Sequence, residues 1–255
     1  MLNSERSIDS STVLPTAVKN SVMPMKYIQK ALINEGFTIT DMLFEPDILE
    51  NLLADLEYIG AFNYEQPQVN LLKTSAKLNN IANDETLLSL LNRTTDKDMF
   101  AVKAFILDKR TQSNWEIPWH QDLKIAVNQQ VDQPDYTNWS SESGILHVQP
   151  PASVLEKLVT LRIHFDLCEI KNAAIHVIPG AHKLGILNSK QIEELVEHSS
   201  RHICTVAKNS VMLMKPLIPH YSPKSNSPGP RRVLQIEYGY EIGNGITWHN
   251  ETGIG

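Results

Sequence analysis

The sequence predicts a mainly β protein in which helices come first and strands follow. Three observations support this fold class. Before residue 100, apolar residues recur at helical spacing. After it, short β-rich runs alternate with clusters of Pro, Gly, Asn and Ser, and the run at 159–167 alternates strictly between apolar and polar residues. Short strands punctuated in this way are typical of an antiparallel sandwich or barrel.

The N-terminal part is predicted to contain a lead segment and three helices. Residues 1–22 are rich in Ser, Thr and Asn and lack an apolar period, so we expect a flexible lead there. Helices are predicted where apolar residues form one stripe, at 25–36, 46–58 and 84–92. Pro46 suits the first position of the second helix. We expect residues 23–255 to form a single domain.

The second part of the chain is predicted to form the β core, at about residues 100–240. The predicted strands are 101–107, 145–149, 159–167, 174–178, 210–214 and 232–240. One helix interrupts them at 189–198, with Ser189 as its expected N-cap.

The strand at 159–167 has an apolar face and a polar face. Because successive side chains of a strand alternate, Thr160, Arg162, His164 and Asp166 share the polar face. A solvated outer surface explains this set. A barrel whose interior is a polar ligand cavity explains it equally well. Periodicity alone leaves both interpretations open.

Composition and charge exclude several classes of protein. The 255 residues include 23 Lys plus Arg and 29 Asp plus Glu, and the net charge of −6 disfavours nucleic acid or an anionic membrane as a partner. No apolar stretch approaches the length of a membrane span, and the N-terminal sequence is unlike a secretory signal. Cys168 and Cys204 are too few for a disulfide framework. We therefore expect a cytoplasmic protein with inert thiols.

Two copies of a His-x-Asp motif carry residue types suited to metal binding. His120 and Asp122 lie two residues apart on a predicted extended segment, so both side chains leave the same face. One distant histidine would complete a triad of two histidines and a carboxylate, a donor set that suits Fe(II) and leaves coordination positions open. His164 and Asp166 have the same spacing, so the motif alone does not identify the metal site.

The downstream sequence favours the first of these two motifs. His220 ends an apolar segment, and Arg231 and Arg232 follow after a loop rich in turn residues. An arginine that opens an apolar strand needs an anionic partner if its side chain is buried. A dicarboxylate co-substrate would supply that anion, held by the planar guanidinium group.

With these residues in place, the sequence resembles the phytanoyl-CoA dioxygenase-like family of iron(II)- and 2-oxoglutarate-dependent oxygenases. The similarity extends from about residue 100 to 248. It is carried by blocks that stand in the family's order: PWHQD (118–122), HVQPP (147–151), LRIHFD (161–166), VIPGAHKLG (177–185), KPLIPHYS (215–222) and RRVLQIEYG (231–239). Two blocks depart from the family pattern, since Asn-Ala-Ala stands at 172–174 for Asn-Gly-Pro and Pro-Gly-Ala-His at 179–182 for Pro-Gly-Ser-His.

The resemblance implies a fold and a set of site residues. The fold is a double-stranded β-helix, or jelly roll, with the helices packed outside it. The implied iron ligands are His120, Asp122 and His220. The implied 2-oxoglutarate-binding residues are Arg231, Ser222, Gln121, Arg162 and Phe105, with Arg231 and Ser222 at the remote carboxylate. The candidates for contact with substrate are His147 and Gln149, from the HVQPP block.

Alternatives remain open at three places. Arg232 competes with Arg231 as the carboxylate anchor, because a slip of one residue reverses the face of a strand. His164 and Asp166 remain the alternative metal pair. The tail from residue 239 either closes over the cavity or packs loosely.

The resemblance implies a dioxygenase that uses Fe(II), 2-oxoglutarate and O2 to hydroxylate an unactivated C–H bond. Asp122 favours hydroxylation over halogenation, because halogenating relatives have a small residue in place of this carboxylate. We expect an amino acid or a secondary metabolite as substrate, a cationic alkaloid of the cylindrospermopsin type being one example. A zinc hydrolase with the same three ligands is an alternative that leaves Arg231 unexplained. A non-catalytic jelly-roll binding module is another.

Overall fold

A computed structural model describes residues 22–41, 43–62, 70–110, 113–142, 144–243 and 245–249. The predicted flexible lead, 1–22, lies outside these ranges except for residue 22, which begins the first helix. No helix within the described ranges has both the length and the apolar character that a membrane span requires.

The described ranges are mainly β with flanking helices, as predicted. The α-helices are α1 Val22–Asn34, α2 Pro46–Tyr58, α3 Ala76–Ala82, α4 Glu85–Thr95, α5 Ala152–Leu155 and α6 Ser189–His198. The strands are β1 Phe37–Thr40, β2 Met99–Lys109, β3 Ile117–His120, β4 Ile125–Val127, β5 Thr137–Glu142, β6 Ile145–Gln149, β7 Val159–His164, β8 His176–Val177, β9 His202–Ile203, β10 Ser210–Met214, β11 His220–Ser222 and β12 Arg231–Tyr240.

Local signals explain most helix boundaries. Pro46 stands at the start of α2, whose apolar stripe of Leu49, Leu52 and Leu56 is buried. The first helix stops before the predicted residue 36, because Gly36 adopts φ +81°, a left-handed conformation that ends helices. The prediction of Ser189 as the N-cap of α6 is wrong by one residue, since the Asn188 side chain accepts the hydrogen bond from the backbone of Gln191.

The larger sheet, which we call the major sheet, has five strands in the order β1-β10-β7-β12-β2, with every neighbouring pair antiparallel. Its outer face carries Leu161 and Ile163 of β7, which belong to one buried apolar cluster with residues of α1, α2 and α4. The helices therefore cover this face of the sheet, as the resemblance implied.

A second sheet, which we call the minor sheet, has the order β3-β11-β8-β9, and β4-β6-β5 form a third. Val177 of β8 shares a buried apolar cluster with Met212 and Met214 of β10. The inner faces of the major and minor sheets therefore pack against each other, in the jelly-roll arrangement that the resemblance implied.

The polar face of β7 points into the space between these sheets. Thr160, Arg162 and His164 are only 2%, 5% and 2% exposed. The polar-cavity interpretation of this strand is thus correct, and the solvated-surface interpretation is wrong. Asp166 lies beyond the end of β7, which is shorter than the predicted 159–167.

The chain packs closely after β12. Trp248 is buried, and its indole N–H donates to the carbonyl of Tyr240 at 2.8 Å. Gly239 makes room for the ring, because a Cβ atom there would lie 2.3 Å from it. Trp248 also forms a bridge to Val127 at the end of β4. The loose-packing alternative is therefore wrong for residues 245–249, while 250–255 lie outside the described ranges.

Candidate active site

The two strands β3 and β11 bring three metal-binding side chains together. His120 and His220 are paired in register, and Asp122 follows β3 by two residues. The Oδ1 atom of Asp122 lies 3.6 Å from Nε2 of His120 and 3.8 Å from Nε2 of His220. Among the described residues, these three form a group whose possible ligand atoms all lie within 4.8 Å of one another.

Backbone carbonyl groups fix the orientation of both imidazole rings. Nδ1 of His120 lies 2.8 Å from the carbonyl oxygen of Pro118, and Nδ1 of His220 lies 3.0 Å from that of Ile218. Each Nδ1 therefore carries the proton and donates it, which leaves the Nε2 lone pair directed at the centre of the triad.

The charges of the triad favour cation binding. Burial lowers the pKa of His220 to about 4 and so keeps that ring neutral. Burial opposes ionisation of Asp122, but the imidazoles of His220 and His120 outweigh it and lower its pKa to about 2. Burial acts to lower the pKa of His120, yet its hydrogen bond with Asp122 raises it overall. An ionised carboxylate faces two imidazole nitrogens, as a divalent metal requires.

Gln121, between the two ligands of the motif, has all its amide groups occupied by the backbone. Its Nε2 donates to the carbonyl groups of Leu217 and Gly185, at 2.6 and 2.8 Å. Its Oε1 accepts from the N–H of Leu187 at 2.8 Å. We therefore expect Gln121 to position these loops, and not to bind 2-oxoglutarate as the resemblance implied.

The inner face of the major sheet continues from the triad into a cluster of buried cations. Arg231 is 1% exposed, and its Nη1 donates to the carbonyl of Ala173 at 2.9 Å. Nη1 of Arg162 donates to Oε1 of Gln235 at 2.5 Å. The Nε atoms of both arginines have no hydrogen-bond partner among the described residues. Phe105 pairs in register with Gln235, so it lies on the same inner face.

Two further polar side chains are buried at this end of the barrel: Lys109, which sequence reasoning did not single out, and His164, which it considered only as an alternative metal ligand. Lys109 pairs in register with Arg231 and is fully buried. Its Nζ donates to Oγ of Ser222 at 2.7 Å. His164 is 2% exposed, and within the part of the chain that the structure describes neither of its ring nitrogens has a hydrogen-bond partner. Strand alternation from Phe105 through residue 107 would have placed Lys109 on the inner face.

The two open alternatives at Arg232 and Asp166 are excluded by one ion pair on the outer face. Arg232 donates to both carboxylate oxygens of Asp166, at 2.9 and 2.8 Å, and to Glu57 of α2 at 2.7 Å. Arg232 therefore cannot anchor a ligand inside the barrel. Asp166 is turned away from His164, so this second motif does not form the metal site.

A cleft of about 710 Å³ opens beside Asp122, and neither Arg162 nor Arg231 is among its lining residues. His147 and Gln149, the predicted substrate residues, are part of its wall. The other lining residues are Lys103, Gln121, Leu123, Lys124, Asn138, Trp139, Glu142 and Glu237. Charged groups of both signs thus line the cleft, with one aromatic ring among them.

Two details define the charge in this cleft. Burial lowers the pKa of His147, so its ring is neutral, with Nδ1 lying 3.1 Å from the carbonyl of Ile145. Burial raises the pKa of Glu237, although Lys103, its register partner, opposes the shift. The cleft is therefore lined mainly by polar and charged side chains and is not an apolar pocket.

A model of the phytanoyl-CoA dioxygenase (PhyH) family matches residues 33–233, well over half of the chain. No curated protein matches the chain in sequence.

Solved structures share the fold. AviO1 from Streptomyces viridochromogenes Tue57 is 17% identical, with a TM-score of 0.62 over 89% of this chain and 100% of AviO1. SnoK, described as a non-heme alpha-ketoglutarate-dependent carbocyclase from nogalamycin biosynthesis, is 12% identical, with a TM-score of 0.63 over 89% of this chain and 87% of SnoK. HygX from Streptomyces hygroscopicus, with nickel and 2-oxoglutarate bound, is 16% identical, with a TM-score of 0.60 over 87% of this chain and 88% of HygX.

Proposed function

The chain belongs to the phytanoyl-CoA dioxygenase family, and on that premise we propose that it is an Fe(II)- and 2-oxoglutarate-dependent dioxygenase that hydroxylates a small molecule. One observation carries the proposal. A triad of the iron-binding type lies near the buried Arg162, whose charge acts on Asp122 and His220, and neither Arg162 nor Arg231 forms an ion pair with a carboxylate of the described residues.

The donor set fits Fe(II). His120, Asp122 and His220 would hold the metal on one face and leave the opposite positions free for a bidentate co-substrate and O2. When bound, the iron supplies the O2 chemistry that oxidises a C–H bond while 2-oxoglutarate is converted to succinate and CO2. Crystal structures of HygX contain iron in one case and nickel with 2-oxoglutarate in another.

The buried cations would hold the co-substrate. Arg231 and Ser222 would bind its remote carboxylate, because a guanidinium group and a hydroxyl group both donate hydrogen bonds to carboxylate oxygens. Arg162 and Phe105 both pair with Gln235 on the inner face, and we propose that they contact the co-substrate between its remote carboxylate and the triad. The cleft beside Asp122, which contains neither arginine, is then left for the substrate.

The lining of the cleft supports a polar substrate. Lys103 and Lys124 can receive acceptor or acidic groups, while Glu142 and Glu237 can receive hydroxyl or amino groups. Trp139 offers a flat apolar surface for a ring. We propose a tailoring enzyme for a polar secondary metabolite, with an amino acid as a smaller alternative of the same chemistry. One HygX structure contains hygromycin B.

Succinate formation tests the reaction class. We expect the protein to convert 2-oxoglutarate to succinate when Fe(II) and O2 are both present, at a rate that rises on addition of its substrate. A panel of polar metabolites is screened for this stimulation, and the product is analysed for a mass gain of one oxygen atom.

The same assay separates the alternatives. Activity with Zn(II) in the absence of O2 would overturn the proposal in favour of a hydrolase. A product without added oxygen would identify a cyclisation, epimerisation or desaturation instead of hydroxylation. Absence of succinate in a folded, iron-loaded protein, across the whole panel, would favour a binding module.

A further inference from the structure

Lys109 is a fully buried lysine that reaches across the barrel from one sheet to the other. It is the last residue of β2 in the major sheet. Its Nζ donates to Oγ of Ser222 at 2.7 Å and to the carbonyl of Pro223 at 2.6 Å, at the end of β11 in the minor sheet. The ring of Trp115 lies 5.3 Å from Nζ. The ammonium group is thus held at one place.

Lys109 is one of three buried cations that share the inner face of the major sheet. It stands directly opposite Arg231, and Arg162 lies on the adjacent strand β7. Like charges directly opposite each other in a sheet are destabilising, and buried charges are costly without a partner. No carboxylate of the described residues forms an ion pair with any of the three. The three buried positive charges therefore favour the binding of an anion between them.

The contact between Lys109 and Ser222 determines which way the hydroxyl group points. A serine hydroxyl has one proton to donate and two lone pairs that accept. Because Oγ of Ser222 accepts from the ammonium group, its proton is free to point at another acceptor. No acceptor for this proton is present among the described residues. His164, whose ring nitrogens have no hydrogen-bond partner in the described ranges, is a further buried polar group on the inner face of the sheet.

We propose that Lys109 is a positioning residue for 2-oxoglutarate, one that orients the Ser222 hydroxyl and adds a positive charge beside Arg231 at the remote carboxylate. This inference rests on the proposed function. If the inference is correct, Lys109 makes the protein bind a 2-oxo acid with two carboxylates more tightly than one with a single carboxylate.

Calorimetric binding to the nickel-loaded full chain tests the inference without turnover. Two ligands are compared, 2-oxoglutarate and 2-oxobutyrate, which has hydrogen in place of the remote carboxylate. We expect Lys109→Met to weaken 2-oxoglutarate binding about 10- to 100-fold, as for loss of a hydrogen bond to a charged group. Binding of 2-oxobutyrate should change less than about threefold, so the preference for two carboxylates falls.

Lys215→Met is the matched control. Lys215 is also buried, and among the described residues its ammonium group donates to the backbone carbonyls of Glu156 and Leu158 and to no side chain. We expect this variant to bind both ligands as the wild type does. If Lys109→Met unfolds, Lys109→Gln retains a donor for Ser222 without the charge, and we expect a smaller loss of affinity.

A double-mutant cycle tests whether Lys109 acts through Ser222. We expect Lys109→Met combined with Ser222→Ala to lose less affinity than the product of the two single losses. Losses that multiply independently would overturn the orienting role.

The pH dependence gives a second readout that a purely structural lysine would not show. Burial, with Arg231 and Arg162 facing Lys109, lowers its pKa to about 7, while Glu116 and Cys168 oppose the shift. A bound carboxylate raises the pKa of Lys109. At a pH between the pKa of the free protein and that of the complex, Lys109 is therefore protonated only when the ligand is bound. We expect 2-oxoglutarate affinity to fall as pH rises above 7, and less steeply in Lys109→Met.

The outcomes separate the inference from the proposed function. If the nickel-loaded wild type does not bind 2-oxoglutarate, the proposed function fails. If the wild type binds it and Lys109→Met matches Lys215→Met in affinity and in selectivity, the role of Lys109 is overturned while the function stands.

Discussion

Replacing Asp122 with alanine is expected to abolish iron binding and 2-oxoglutarate turnover, whereas Asp166→Ala leaves both intact. The two residues occupy the same position of two His-x-Asp motifs, but only Asp122 faces His120 and His220. It is the only negatively charged donor of the triad, and even residues outside the ligand set cost about 10- to 100-fold when changed. We expect a loss of metal affinity of about 100-fold or more.

Asp166→Ala is a control that carries its own expected cost. This change removes the hydrogen bonds from Arg232, so the free energy of unfolding should fall by about 1–3 kcal/mol. Metal affinity is measured by anaerobic titration with Fe(II), and stability by denaturant unfolding. Equal metal affinities for the two variants would contradict the assignment of the triad.

Replacing Arg231 with glutamine is expected to weaken 2-oxoglutarate binding about 100-fold or more, because the remote carboxylate loses a buried guanidinium partner. The neighbouring Arg232→Gln is the matched control. Its side chain lies on the outer face, paired with Asp166 and Glu57. Arg232→Gln should lower stability by about 1–3 kcal/mol and leave 2-oxoglutarate affinity unchanged.

Direct binding of 2-oxoglutarate to the nickel-loaded variants is the measurement. A larger affinity loss in Arg232→Gln than in Arg231→Gln would show that the strand register assigned to β12 is wrong. Equal small losses in both would mean that the anion is held elsewhere.

Three segments were predictable from sequence, α2 because it has one buried apolar stripe and the two strands because they are short apolar runs. The predicted 46–58, 145–149 and 210–214 coincide with α2, β6 and β10. Several short or polar strands were missed. β9 and β11 have two and three residues, too few to show a period, and β5 is polar throughout except for Trp139.

The site was partly predictable for a related reason. The spacing of His120 and Asp122 is local, so one segment places both side chains, and motif order supplied His220. Lys109 and His164 could not be predicted in this way, because they come to the same inner face only when β2 and β7 both pair with β12. For Gln121, in contrast, sequence position predicted a role that the hydrogen bonds do not support. Its position suggested ligand binding, but hydrogen bonds to residues 185, 187 and 217 occupy its amide.

If the proposed function is correct, the chain binds Fe(II) and 2-oxoglutarate together, and an anaerobic titration measures this joint binding. The metal-free protein receives Fe(II) and then 2-oxoglutarate while the visible absorbance is recorded. We predict a metal-to-ligand charge-transfer band that appears only with both additions, is absent in His220→Ala, and needs far more 2-oxoglutarate in Arg231→Ala. Absence of the band in well-folded wild-type protein would contradict the proposal that the chain binds Fe(II) and 2-oxoglutarate together.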